Sequence, residues 1–276
     1  MENNSDIKNK TNNTKRKKIN VNGSAYTVIY SVIIVVIVAV LLTIASTALK
    51  PAQKLNQEIE KKENILKTAG KTDKEKAKTD KEKYISEEYA KYISESFVVD
   101  INGNKVVDTN VNKKDAFSLE IKRELIKPEA EICLPVFICK DGEQVRYIFQ
   151  LHGKGLWGPI WGYVAFEKDL NTIAGVVFDH ESETPGLGAE ITTEIFQKQF
   201  EGKKIDEENS FPIIVQKPGG KLNSHTVDGI SGGTITSRGV QQMLADNLKL
   251  YKGFINKMKS ENNDNSIETN DKNQEQ

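Results

Sequence analysis

Ten consecutive residues gather hydroxyls and glycines in a pattern that can do chemistry: Asp228-Gly229-Ile230-Ser231-Gly232-Gly233-Thr234-Ile235-Thr236-Ser237. The segment reads as a small-residue loop just ahead of a helix, with exposed hydroxyls at Ser231, Thr234, Thr236 and Ser237. Glycines let backbone and bulky groups approach closely. A helix N-terminus favours an anionic group such as phosphate. On residues alone, the segment is also an ordinary Gly-rich turn with Thr236 or Ser237 as helix N-cap.

Two further blocks carry unusual residue choices: Gly153-Lys154-Gly155-Leu156-Trp157-Gly158-Pro159-Ile160-Trp161-Gly162-Tyr163 and His180-Glu181-Ser182-Glu183-Thr184-Pro185-Gly186-Leu187-Gly188-Ala189-Glu190-Ile191. The first contains G-x-G-x-x-G, but a strand-like run follows it where a dinucleotide site needs a helix to open. In the second, Pro185 makes a rigid turn with adaptable glycines at Gly186 and Gly188. Gly229 to Gly233 also fits G-x-S-x-G. A nucleophile elbow wants its His later in the chain, and His152, His180 and His225 all precede Ser231. Other triad orders exist. A Walker loop is missing, because no G-K-[ST] lies near the glycines.

Composition narrows the classes further. Across 276 residues, 39 basic and 39 acidic side chains give a net charge of zero, which argues against nucleic acid as a partner. Two Cys rule out a disulfide scaffold and an all-Cys metal cluster, and three scattered His argue against a His-rich metal site. Cys133 and Cys139 would lie ~20 Å apart along an extended strand, too far for a disulfide. They are expected as small buried apolar residues.

The elements that position these blocks follow from hydropathy. Tyr26 to Leu49 contains no charged residue and fourteen Val, Ile or Leu. As a helix it would span about 36 Å, enough for a ~30 Å hydrocarbon core. Small residues at Ser46 and Ala48 suit a cleavable signal peptide, but the run exceeds the ~7–15 residues of a signal core. Lys8, Lys10, Lys15, Arg16, Lys17 and Lys18 make residues 1–25 a basic tail, expected in the cytoplasm. The rest is then extracytoplasmic, on a single-pass anchor in the inner membrane.

Residues 50–96 are expected as a charged helical spacer, in which K-T-D-K-E-K recurs at Lys71 and Lys78. The membrane helix is expected to continue outward through Leu55, Ile59, Leu66 and Ala69. A second helix is expected over Lys83–Ser96. Residues 97–259 then form one α+β domain. Strands are expected at Phe97–Ile101, Leu134–Ile138, Val145–Leu151, Ile160–Phe166, Thr172–Phe178 and Phe211–Val215. Helices are expected at Ala116–Lys127, Ala189–Phe200 and Ser237–Lys259. The last carries Val240, Met243, Leu244, Leu248, Tyr251, Phe254, Ile255 and Met258 on one stripe. Residues 260–276 lack core formers and are expected to be disordered.

The Asp228–Thr234 segment resembles the D-x-x-[ST]-G-[AG]-T signal of proteins that carry covalently bound FMN. Asp228, Ser231, Gly232 and Thr234 match, and Gly233 stands where the family often has Ala. Together with the other two blocks, it resembles the C subunits of Na+-translocating NADH:quinone reductases, from the anchor to about Tyr251. The related G subunits of ferredoxin:NAD+ oxidoreductase complexes share the anchor and the threonine, but the Gly153–Tyr163 block favours the C subunits. A non-redox alternative is a membrane-anchored binding or scaffold protein.

The resemblance implies FMN esterified through its phosphate to Thr234, attached by a separate flavin transferase that uses Mg2+ and FAD. It implies that Glu183, Thr184 and Leu187, with Gly188, approach the flavin, and that Lys217 offers charge to the flavin or its phosphate. Trp157 could stack on or beside the flavin ring, or serve as a core aromatic. His180 and His225 are expected to satisfy local hydrogen bonds. No residue is expected to be catalytic and none to bind a metal. The implied function is an electron relay towards quinone among the other subunits, especially the B, D and E membrane subunits. Electrons would come from an iron–sulfur centre and pass to a second FMN on the B subunit. Membrane lipid is the remaining implied partner.

Overall fold

The structure, a computed structural model, describes residues 23–73, 80–106, 115–205 and 212–274. The basic tail up to residue 22, much of the K-T-D-K-E-K repeat and Phe211 lie outside the described residues. The chain divides into two units, residues 1–56 and 57–276.

Helix α1 (Ser24–Thr68) begins in the first unit and carries the apolar run there. Its large side chains, from Val28 to Leu49, are exposed, and the helix is long and apolar enough to cross a membrane. The expected outward continuation is present, since α1 extends to Thr68.

In the second unit, the charged segment is more than a solvated spacer. Ile59, Ile65, Leu66, Ala69 and Ile85 are buried. Helix α2 (Lys81–Tyr92) starts on Asp80, whose carboxylate accepts from Lys83 N–H at 3.1 Å. It ends at Tyr92, where strand β1 (Ile93–Val99) begins, so the helix expected to reach Ser96 stops earlier.

Strands β2 (Leu134–Asp141), β3 (Gln144–Lys154), β4 (Pro159–Phe166) and β5 (Ile173–His180) join β1 in one antiparallel sheet of order β1-β2-β3-β4-β5. Both faces are covered, and the alternation of side chains shows it. In β2, Leu134, Val136 and Ile138 enter the main core, while Phe137 and Cys139 enter a second cluster with Ile65 and Ala69. Cys133 and Cys139 are both buried and form no disulfide, as expected.

Two expected helices are mostly turns. Over residues 116–127 only α3 (Ile121–Glu124) is helical. The Asp115 carboxylate accepts from Phe117 N–H and the Ser118 hydroxyl, which favours a turn there. Over residues 189–200, a 3-10 turn (Gly188–Thr192) precedes α4 (Glu194–Lys198). Thr193 is extended between them, and its hydroxyl accepts from Phe196 N–H at 3.4 Å as a fresh N-cap.

A small parallel pair, β6 (Ile214–Gln216) and β7 (Thr226–Asp228), leads into helix α5 (Thr234–Gln274). Strand β7 was not expected, because three residues are too few to show a period. Helix α5 begins three residues before the expected Ser237. It also continues through the polar stretch expected to be disordered, since extending an established helix adds one hydrogen bond per residue fixed. Its predicted stripe is the core of the domain: Val240, Met243, Leu244, Leu248, Tyr251, Phe254 and Ile255 are all buried. Each such side chain contributes about 1.5–3 kcal/mol by leaving water.

Candidate functional site

The loop before α5 is built from its backbone. Gly229 N–H donates to the Gln216 carbonyl at 2.7 Å, extending the β6–β7 pairing into the loop. Gly233 N–H donates to the Ile230 carbonyl at 3.0 Å, closing a turn in which Gly232 has φ +76°. That value suits glycine, because a Cβ there is strained. The Ser237 hydroxyl accepts from Ile230 N–H at 2.9 Å. Thr236 and Ser237 are therefore buried, a correction to the expectation of exposed hydroxyls. Ser231 and Thr234 are exposed, and Thr234 opens the first turn of α5.

Asp228 works on the neighbouring turn. Its carboxylate accepts from Gln216 Nε2 at 3.3 Å and from Gly219 N–H at 3.3 Å. This orders residues 216–219, which carry Lys217.

Opposite the loop, the β3–β4 connection turns at Gly155, whose N–H donates to the Gly158 carbonyl at 2.8 Å. Strands on both sides confirm that the G-x-G-x-x-G run is a hairpin turn. Glu183 holds this turn. Its buried carboxylate accepts from Trp157 N–H at 2.8 Å and from the Thr236 hydroxyl at 2.6 Å. Burial works to raise the Glu183 pKa, but hydrogen bonds from Thr236 and from Trp157, Leu156 and Gly158 N–H hold it below the ordinary carboxylate value. His180 accepts from Glu183 N–H at 3.2 Å through Nδ1, and the Nδ1 of His225 lies 2.7 Å from the Lys204 carbonyl, the local roles expected of both.

Thr234 lines two cavities. The larger, about 380 Å³, is bounded by Leu156, Trp157, Glu183, Thr184, Leu187, Gly188, Gly232, Gly233, Ile235 and Thr236 as well. The smaller, about 160 Å³, is bounded by residues 215–218, Gly229, Ile230, Ser237 and Arg238 as well. Most of the predicted site residues thus meet around the larger cavity, while Lys217 stands with Thr234 on the smaller one. Asp228 and Ser231 line neither.

Trp157 is 66% exposed, which rules out a core role. With Leu156, Leu187 and Ile235, also exposed, it forms an apolar rim. Sequence reasoning missed Leu156, Ile235 and Arg238. Arg238 left a signal: a cation near the start of a helix opposes the macrodipole and asks for an anionic partner.

The residues fit a flat aromatic group bearing a phosphate. The larger cavity falls within the ~300–1,000 Å³ of small-molecule sites and joins apolar walls to a few polar groups. The smaller offers Lys217, Arg238 and the start of α5 to an anion.

Comparison with known proteins agrees with this reading. Residues 155–249 match the FMN-binding domain family. Over 109 residues the chain is 44% identical to the C subunit of the Na(+)-translocating NADH-quinone reductase of Vibrio vulnificus (strain YJ016), covering 38% of this chain and 43% of that one. The chain thus spans less than half the length of that relative. With the C subunit of Neisseria meningitidis serogroup B (strain MC58), identity is 38% over 157 residues, covering 54% of this chain and 60% of that one. The crystal structure of the C subunit from Parabacteroides distasonis ATCC 8503 superposes with a TM-score of 0.65 at 39% identity, covering 75% of this chain and 96% of that one. Shewanella oneidensis NqrC superposes with a TM-score of 0.61 at 27% identity, covering 74% of this chain and 99% of that one. Identity of this order across nearly the whole of a solved C subunit means that the chain belongs to the family of Na(+)-translocating NADH-quinone reductase C subunits.

Proposed function

We propose that this chain is the FMN-carrying electron-transfer subunit of a Na+-translocating NADH:quinone reductase, with the FMN phosphate esterified to Thr234. The observation that carries this reading is the place of Thr234: an exposed side chain at a helix start, between an apolar cavity and a cationic one. A phosphoester there has cations on one side and an aromatic rim on the other.

Bound FMN would supply reversible electron transfer. The protein's own residues supply attachment and surroundings. Trp157, Leu156, Leu187 and Ile235 give the ring an apolar seat. Thr184, Gly188, Gly232 and Gly233 let it approach backbone closely, and Lys217 and Arg238 balance the phosphate charge. Covalent attachment keeps the cofactor in place on the extracytoplasmic side.

The apolar run of α1 anchors the protein in the inner membrane, with the basic tail in the cytoplasm. The partners are the other subunits of the complex, the B, D and E membrane subunits above all, and a flavin transferase during maturation. In this role the protein passes electrons within the complex towards quinone.

Intact mass and in-gel flavin fluorescence of denatured protein from its native host, beside Thr234→Ala, test the reading. An FMN-sized adduct that vanishes in the variant supports it. Native protein without an adduct overturns it.

A further inference from the structure

The Glu183 carboxylate is occupied by protein. Oε1 accepts from Trp157 N–H, and Oε2 accepts from the Thr236 hydroxyl 53 residues away. Two glycines clear room for it. A Cβ on Gly155 would come within 2.4 Å of Oε1, and one on Gly188 within 2.3 Å of Oε2. At 4% exposure, a carboxylate needs several donors to remain charged, and here they come from two separate segments. One segment carries Trp157. The other is the first turn of α5, two residues past Thr234.

We infer that Glu183 is a positioning residue that sets the distance between Trp157 and Thr234, the aromatic wall and the attachment point of the site, without itself seating the cofactor. The role of Trp157 and Thr234 towards FMN rests on the function proposed above. The tie between the two segments does not, because it exists in the protein alone. A single buried acceptor shared by a hairpin turn and a helix start fixes both more tightly than either fixes itself. Within the hairpin turn Gly155 N–H donates to the Gly158 carbonyl, and Trp157 projects from the turn into solvent.

The test is made on the full chain in detergent, in a Trp161→Phe background that leaves Trp157 as the sole tryptophan. On unloaded protein, Glu183→Ala should lower the emission anisotropy of Trp157 and raise its iodide quenching, by no more than about half since the side chain is already 66% exposed. Thr236→Val, which removes only the helix-side bond, should shift both in the same direction by less. Glu183→Gln keeps an acceptor oxygen and should restore most of the wild-type behaviour. Loading of Thr234 by a flavin transferase with FAD, followed by intact mass, should slow about tenfold in Glu183→Ala.

Folded variants whose Trp157 quenching and anisotropy match wild type overturn the inference, as does a Gln variant no better than Ala. Should Glu183→Ala fail to fold, Thr236→Val decides by the same readouts. If wild type takes no flavin, the cofactor reading fails while the Trp157 result still judges the positioning role.

Discussion

Asn247 and His152 exchange two hydrogen bonds across the junction of α5 and β3. Asn247 Nδ2 donates to the His152 carbonyl at 2.9 Å, and its Oδ1 accepts from His152 N–H at 3.2 Å. The side chain acts as one more strand residue at the sheet end, shortly before the turn at Gly155. The same Nδ2 reaches the Met243 carbonyl at 2.7 Å. Helix α5, which carries Thr234, is thereby registered against the strand that leads to Trp157. Asn247→Leu leaves both His152 backbone groups without this partner. It should lower stability by about 1–3 kcal/mol, read as a fall in the urea midpoint at unchanged slope.

Two glycines in the Glu183–Glu190 segment should respond differently to alanine. A Cβ at Gly188 would sit 2.3 Å from Glu183 Oε2 and 2.5 Å from Thr236 Oγ1. Gly186 has φ +75° with open space around it. Gly186→Ala should cost about 1 kcal/mol of backbone strain and leave the site intact. Gly188→Ala should cost about 2 kcal/mol and also slow flavin loading of Thr234. Equal loading in the two variants would contradict the packing described.

Arg238 lies one helical turn beyond Thr234. Helical side chains lean towards the N-terminus, which brings the guanidinium over the Thr234 turn, where it shares a cavity with Lys217. On the proposed function, Arg238→Gln and Lys217→Gln should each slow loading several-fold, and the wild-type rate should fall with salt more steeply than that of the double variant. A time course of intact mass at two ionic strengths checks this.

Trp157 should be dispensable for the fold. At 66% exposure, Trp157→Ala is expected to change stability by no more than about 0.5 kcal/mol. In flavin-loaded protein it should raise flavin fluorescence, because a nearby indole quenches it. A large loss of stability would show that the side chain packs where the structure leaves it open.

Lys61 gives the domain a pH dependence. Burial lowers its pKa from 10.5 to about 8, although Asp115 and Glu120 pull it upward in part. Its ammonium donates to the Phe117 and Leu119 carbonyls and lies 5.1 Å from the Phe117 ring centre. A base whose folded pKa lies below its unfolded value binds fewer protons when folded, so stability rises with pH between about 8 and 10.5. Chemical denaturation should show this rise, up to about 3 kcal/mol, in wild type and not in Lys61→Met.

Much of this protein could be read from local pattern alone. The uncharged run gives the anchor helix, because hydrocarbon length and composition suffice. Four strands, β2 to β5, lie where alternating or continuous apolar runs stand between turn signals. The α5 stripe was legible because seven buried side chains keep helical spacing. Thr234 and the blocks around Trp157 and Glu183 were legible as a family resemblance, since those motifs are short and continuous.

Other features depend on partners distant in the chain. The burial of Ile59, Ile65 and Leu66 was hidden, because a charged helix looks solvated until its cover is known, here α2 over Ile59 and Leu66 and the sheet over Ile65. The helix expected from Ala116 gave way to a turn held by the Asp115 side chain, a competition that periodicity does not weigh. Glu183 was expected beside the flavin, and only the tertiary structure shows its oxygens held by Trp157 and Thr236. Arg238 joined the site because α5 starts at Thr234 and aims one turn of side chains at the smaller cavity. Sequence fixes which residues can pair, through size, charge and period. The choice among those pairs is made by contacts across long loops, where burial decides which polar groups must find each other.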